Sequence, residues 1–203
     1  MVQYLANKTA NYLADKDELP EDIEVIAYGY YMFYQQWLLV IAILLAALPF
    51  GLFPLVLASL VTSMVLRGCA CGTHATHPLI CKIAGFALAF IPAVLAGVLA
   101  SRLTPVIVAA MYLCSIAMLL KYAPGDTDVK KIYDPKIRRH MKIQSIVLAS
   151  VFFAASAFLL GRFPEIAFVV ALTALITCSF VHPVAYRLFG FDPITKEARK
   201  PRW

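Results

Sequence analysis

Charge is scarce in this chain of 203 residues: Asp, Glu, Lys and Arg together make up 15%, and none of them falls between Val25 and Leu66. A soluble domain needs polar surface. With 62% hydrophobic residues, against about 45–50% in ordinary globular proteins, too little of it is available. That shortage excludes a soluble enzyme, a disordered tail and a nucleic-acid-binding module. Internal repeats and low-complexity tracts are also missing. So is the basic start and apolar stretch of a cleavable signal peptide, because the first 24 residues are polar and acidic. The chain is therefore expected to begin near Met1.

What is present is a series of long apolar runs. A helix rises about 1.5 Å per residue, so roughly 20 residues cross a hydrocarbon core of about 30 Å. The run from Val25 to Leu66 is long enough for two spans, broken at Pro49-Phe50-Gly51-Leu52-Phe53-Pro54. Spans are predicted near 26–48 and 52–67, then 83–101, 103–120, 143–161 and 166–186, the last with His182-Pro183 stopping its helix early. The fold class is all-α: a polytopic helical membrane protein of about six transmembrane helices. Six spans put both termini on one side, and the basic residues test that arrangement. Sixteen of the eighteen Lys and Arg fall on the side of the termini, leaving only Arg102 and Arg162 opposite as interfacial anchors. The positive-inside rule then places the termini and the loops 67–82 and 121–142 in the cytoplasm. The net charge of +6 reads as orientation rather than as a sign of an anionic ligand.

Before the first span, Val2, Leu5, Thr9, Tyr12 and Leu13 recur at helical spacing. They predict an amphipathic helix that lies on the membrane surface, against a partner, or packed on the chain's own bundle. Leu19-Pro20-Glu21-Asp22 reads as the next helix start. The expected organisation is one integral membrane domain over 1–203: a cytosolic amphipathic helix and acidic linker over 1–24, a transmembrane bundle over 25–186 and a basic cytosolic tail over 187–203.

Chemistry concentrates in the first cytosolic loop. Of five cysteines, Cys69, Cys71 and Cys81 lie there, together with His74 and His77, while Cys114 and Cys178 read as space-filling membrane residues. A reducing cytosol argues against a disulfide framework. One reading is nucleophilic catalysis, in which a cysteine attacks as thiolate. Pro78 suits the first position of the third span, which sets Cys81 about one turn inside a helix N-terminus, where free amides favour a negative sulfur. His77, four residues before it, and His74, seven before it, are both candidate bases, and spacing does not choose between them. The other reading is a closed zinc site over Cys69-x-Cys71-x2-His74-x2-His77-x3-Cys81, although that spacing matches no common zinc module.

Arg67, then Gly72-Thr73-His74-Ala75, then Cys81 seven residues after the histidine, resemble the signature of the AgrB family, membrane cysteine endopeptidases of bacterial peptide quorum sensing. Lys121-Tyr122-Ala123-Pro124-Gly125-Asp126-Thr127 resembles that family's Tyr-Ala-Pro-x-Asp-Thr element, with lysines following at 130 and 131. The resemblance covers most of the chain and is weakest before residue 25 and after 182. It implies Cys81 as nucleophile and His74 as base, with Arg67 and Gly72 supporting the loop. Where the family usually shows Gly-Gly before x-His, this chain has Cys71-Gly72, so Cys69 and Cys71 are departures. A third catalytic member is left open: Asp126 either orients His74 across the two loops or serves as an exposed turn or capping acid.

The resemblance implies a substrate too. It is an AgrD-like precursor peptide with an amphipathic N-terminal part, a central signal and an acidic C-terminal tail. Attack by Cys81 on the carbonyl joining signal to tail gives a thioester, which a cysteine or serine of the peptide then closes into a thiolactone or lactone ring. Lys130, Lys131, Lys136, Arg138, Arg139 and Lys142 form a basic segment suited either to the acidic tail or to topology and anionic lipid. No cofactor, metal or nucleic acid is implied, membrane lipid surrounds the chain, and the family resemblance implies a homodimer. Two other functions compete. One is a small polytopic transporter, against which the uncharged spans count. The other is a non-catalytic zinc-binding membrane protein built on the Cys69–Cys81 loop.

Overall fold

Proline opens six of the eight helices in the described part of the chain, where its missing N–H costs nothing because the first amides of a helix are unpaired anyway. The computed structural model describes residues 1–13, 20–72, 78–125 and 134–189. Within them every regular element is helical: α1 (Val2–Leu13), α2 (Pro20–Ala47), α3 (Phe53–Ala70), α4 (Pro78–Leu99), α5 (Pro105–Tyr122), α6 (Pro135–Leu159), α7 (Pro164–Ser179) and α8 (Pro183–Leu188). The protein is an all-α polytopic membrane protein. Five helices, α2 to α6, are long and apolar enough to cross a bilayer, and α7 is a shorter apolar helix. The predicted break after the first span is a 3-10 turn over Leu48–Phe50, followed by Gly51 at φ +66°.

The chain divides into two compact units, Met1–Pro49 and Phe50 onward. In the first, α1 packs against α2. Of the positions read from the sequence, Thr9 reaches α2, but the apolar ones do not form the centre of the contact. Ala6 and Ala10 are the residues fully buried, whereas Leu5, Tyr12 and Leu13 are exposed. Small residues let two helices approach closely, and the Thr9 and Tyr34 hydroxyls add a hydrogen bond of 2.9 Å across them.

In the second unit α7 packs against α3, α4, α5 and α6. Its 16 residues span about 24 Å at 1.5 Å per residue, less than the roughly 30 Å of hydrocarbon. A helix surrounded by other helices need not match the lipid, which accounts for its shortness. Ala167, Ala171 and Ala174 are fully buried and bring the neighbours close. Hydroxyls hold the contacts. Ser59 of α3 donates to the Leu88 carbonyl of α4 at 2.9 Å and pairs with Thr173 of α7 at 2.9 Å, and Ser156 of α6 donates to the Ala167 carbonyl at 2.8 Å. Leu66 and Leu119 fill the core, and α4 runs through Pro92, itself fully buried. The segment predicted as a sixth span stops early, as His182-Pro183 suggested: α7 ends at Ser179, and His182 then caps α8 by accepting the Val184 N–H at its Nδ1.

Candidate active site

Cys81 lies in the first turn of α4, three residues after Pro78, and its side chain is half-buried. Arg67 occupies the last turn of α3, a helix packed directly against α4. Its guanidinium lies over the Phe180 ring, 5.2 Å from the centroid, and interacts electrostatically with Cys81. Arg67 and Cys81, fourteen positions apart in the chain, thus sit on neighbouring helices.

Beyond Arg67 the chain turns sharply. The Cys71 N–H closes the helix on the Arg67 carbonyl at 3.1 Å, and Cys71 then takes φ +57° and ψ −123°. A side chain at such a φ costs on the order of 1–3 kcal/mol, and glycine escapes the cost. The departure from Gly-Gly seen in the sequence therefore falls on a backbone position suited to glycine. Gly72 follows at φ +104°, and a Cβ there would stand 3.0 Å from the Phe180 carbonyl oxygen. Its place in the loop signature has a steric reason.

Sequence reading did not find the partner of this turn. Cys71 forms a parallel bridge with Gly125, the variable position of the Tyr-Ala-Pro-x-Asp-Thr element. The Gly72 N–H donates to the Gly125 carbonyl at 3.3 Å, and the Gly125 N–H donates to the Ala70 carbonyl at 3.0 Å. A Cβ on Gly125 would lie 2.7 Å from the Gly72 Cα and 2.5 Å from the Tyr186 hydroxyl oxygen. The two motifs that looked separate in the sequence are one piece of structure. His74 and His77 follow Gly72, and Asp126 follows Gly125; these three, with Lys130 and Lys131, lie outside the described residues. Those two histidines are also two of the five candidate zinc ligands.

The basic segment divides in two. Arg138 donates from Nη2 to the Pro124 carbonyl at 3.0 Å, and the Lys142 ammonium donates to the Leu120 carbonyl at the end of α5. Lys136 and Arg139 are exposed on the first turns of α6, whose N-terminus Asp134 caps by accepting the Lys136 N–H at 2.7 Å. Arg138 and Lys142 therefore satisfy carbonyls beside the Pro124-Gly125 turn, while Lys136 and Arg139 present charge outward. Cys69 and Cys71 are half-buried, Cys114 is exposed and Cys178 is buried, and none of the four is in a disulfide.

Residues after α7 complete the surround, and no motif announced them. Phe180 holds Arg67 and Gly72, the His182 ring meets the Tyr122 ring edge-on at 4.9 Å, and Phe189 packs on Phe180 at 5.9 Å. The sequence offered one hint of this return, the His-Pro stop at 182–183. No curated protein and no solved structure matches the chain. A family model described as accessory gene regulator B (AgrB) matches residues 6–181, which include Arg67, Gly72, Cys81 and Gly125. The chain belongs to the AgrB family.

Proposed function

We propose that this protein is a membrane cysteine endopeptidase that removes the acidic tail of an AgrD-like precursor and leaves the signal segment poised for cyclisation. Family membership supports a role in quorum-sensing peptide processing. The observation that carries the catalytic reading is the bridge between Cys71 and Gly125. It joins the turn leading to His74 to the turn leading to Asp126, beside α3 and α4, whose adjoining ends carry Arg67 and Cys81.

In this reading the Cys81 sulfur attacks the carbonyl between signal and tail. The C–N bond breaks, His74 passes to the leaving amine the proton it took from the Cys81 thiol, and the signal segment remains as a thioester on Cys81. A thiol or hydroxyl within the bound peptide then gives its proton to His74, attacks that carbonyl and releases the Cys81 thiolate. Exchange of one thioester for another is nearly balanced, whereas closing a thiolactone from a free carboxylate is uphill. Excluding water from the intermediate conserves the energy of the original amide. Arg67 supplies positive charge beside the sulfur. Lys136 and Arg139 are exposed cations suited to the acidic tail, and Arg138 shapes the turn they flank. The active-site loops and both termini face the cytoplasm in this reading, and a second copy of the chain is the partner that the family resemblance implies.

The test is cleavage of an AgrD-type precursor by the full chain in liposomes. Cys81→Ala and His74→Ala are each expected to abolish it, with the double change little worse than either alone, because residues acting as a unit are not additive. His77→Ala is expected to retain activity. Essential His77 with dispensable His74 would transfer the base role to His77. Activity lost at Cys69, Cys71, His74 and His77 alike and restored by zinc would make the loop a metal site.

A further inference from the structure

The matched family region ends at residue 181, yet the next eight residues return to the turn where the two motifs meet. Tyr186, on α8, is 3% exposed, and its hydroxyl is the atom that would stand 2.5 Å from a Cβ on Gly125. Gly72 lies against Gly125 in turn, and the Phe180 carbonyl closes the far side of Gly72. The order of packing is Tyr186, Gly125, Gly72, Phe180: an added carbon on Gly125 would overlap both its neighbours, and one on Gly72 would press tightly on the Phe180 carbonyl. The base of α8 is fixed too: His182 caps it through the Val184 N–H and sets its ring against Tyr122, the last residue of α5.

Two hydrogen bonds hold the Cys71–Gly125 bridge, one of them at 3.3 Å. A bridge this small keeps its position only when side chains confine it, since each bond adds only about 0.5–1.5 kcal/mol net. We propose that Tyr186 is a positioning residue, pressing the Gly125 turn onto Gly72 and so fixing the point from which the chain leaves toward His74. This rests on the peptidase reading above. Tyr186 touches no reacting atom in it; it acts through Gly125 and Gly72.

Tyr186→Leu, Tyr186→Phe and His74→Ala would be compared with the unmodified full chain in liposomes on three readouts. These are kcat and KM for an AgrD-type precursor, the rate of Cys81 alkylation by iodoacetamide mapped by mass spectrometry, and the thermal midpoint. Tyr186→Leu is expected to lower kcat about tenfold or more with KM unchanged, because displacing a catalytic group by an ångström costs up to roughly a hundredfold. Its Cys81 alkylation rate should move to that of His74→Ala, since the same base would be lost from the sulfur. Tyr186→Phe keeps the ring but removes the atom against Gly125, and a kcat loss of about threefold at unchanged KM is expected, well short of the limit set by misplacement. Where Tyr186→Leu does not insert and fold, Tyr186→Phe decides by the same split. A kcat within experimental error of the unmodified chain for whichever variant folds would overturn the proposal, as would a loss that appears in KM or merely follows the thermal midpoint. Failure of the peptidase reading is distinct: Cys81→Ala would still cleave, and His74→Ala would leave alkylation unchanged.

Discussion

Gly125 lies so close to Gly72 that a Cβ built on it falls 2.7 Å from the Gly72 Cα, and Gly72 in turn sits against Phe180, whose carbonyl oxygen would stand 3.0 Å from a Cβ there. Their backbones also share a hydrogen bond, Gly72 N–H to Gly125 carbonyl. The chain thus enters the His74 segment and the Asp126 segment from neighbouring points.

Gly125→Ala is expected to lower cleavage at least tenfold, because the bridge must open by several tenths of an ångström and misplaced catalytic groups lose rate steeply. Gly72→Ala should do the same and also destabilise, since φ +104° disfavours any side chain at a cost of about 1–3 kcal/mol. Initial rates and detergent melting curves on the two variants check both statements.

Cys71→Gly should have the opposite sign. Cys71 holds φ +57°, and relieving it is expected to raise stability by about 1 kcal/mol while cleavage survives. A tenfold loss of activity in that variant would give the Cys71 thiol a role in the chemistry.

The spans were legible in the sequence because a bilayer demands long apolar runs, and proline marked where most helices begin. The central place of α7 was legible only in part: it is apolar all round, as a buried helix should be, but composition does not say which helices surround it. On α1, the conspicuous Leu5, Tyr12 and Leu13 drew attention away from Ala6 and Ala10, since close packing favours the smallest side chains. Cys81 and Arg67 were readable from the loop signature. Gly125 and Tyr186 were not, because their meaning lies in a contact between segments far apart in sequence, and short-range periodicity carries no trace of it.

The basic residues of α6 should separate by function. Arg138→Gln removes the donor to the Pro124 carbonyl and is expected to lower kcat at unchanged KM. Changing Lys136 and Arg139 to Gln should instead raise KM, with the effect largest at low ionic strength, because exposed charges are screened beyond about 8 Å at physiological salt. Steady-state kinetics across a salt series distinguishes the two.

Within the bundle, Thr173→Val removes the hydroxyl paired with Ser59, which retains the Leu88 carbonyl. Interhelical hydrogen bonds in membranes average about 0.6 kcal/mol and reach about 1.7, so a loss in that range is expected in reversible unfolding from detergent.

Orientation is open to direct labelling. A membrane-impermeant maleimide applied to intact cells should miss a cysteine at the exposed position Lys136 and react with one at the exposed position Arg162. The reverse pattern would place the Cys81 loop outside the cell.

The central claim is that Cys81 carries the signal segment as a thioester. Intact-mass spectrometry of the full chain quenched during turnover of an AgrD-type precursor tests it directly. The account predicts an adduct equal to the peptide upstream of the cleaved bond, lost on treatment with hydroxylamine, mapped to Cys81 and absent from Cys81→Ala. Cleavage by Cys81→Ala, or an adduct mapped to Cys69 or Cys71, would contradict it.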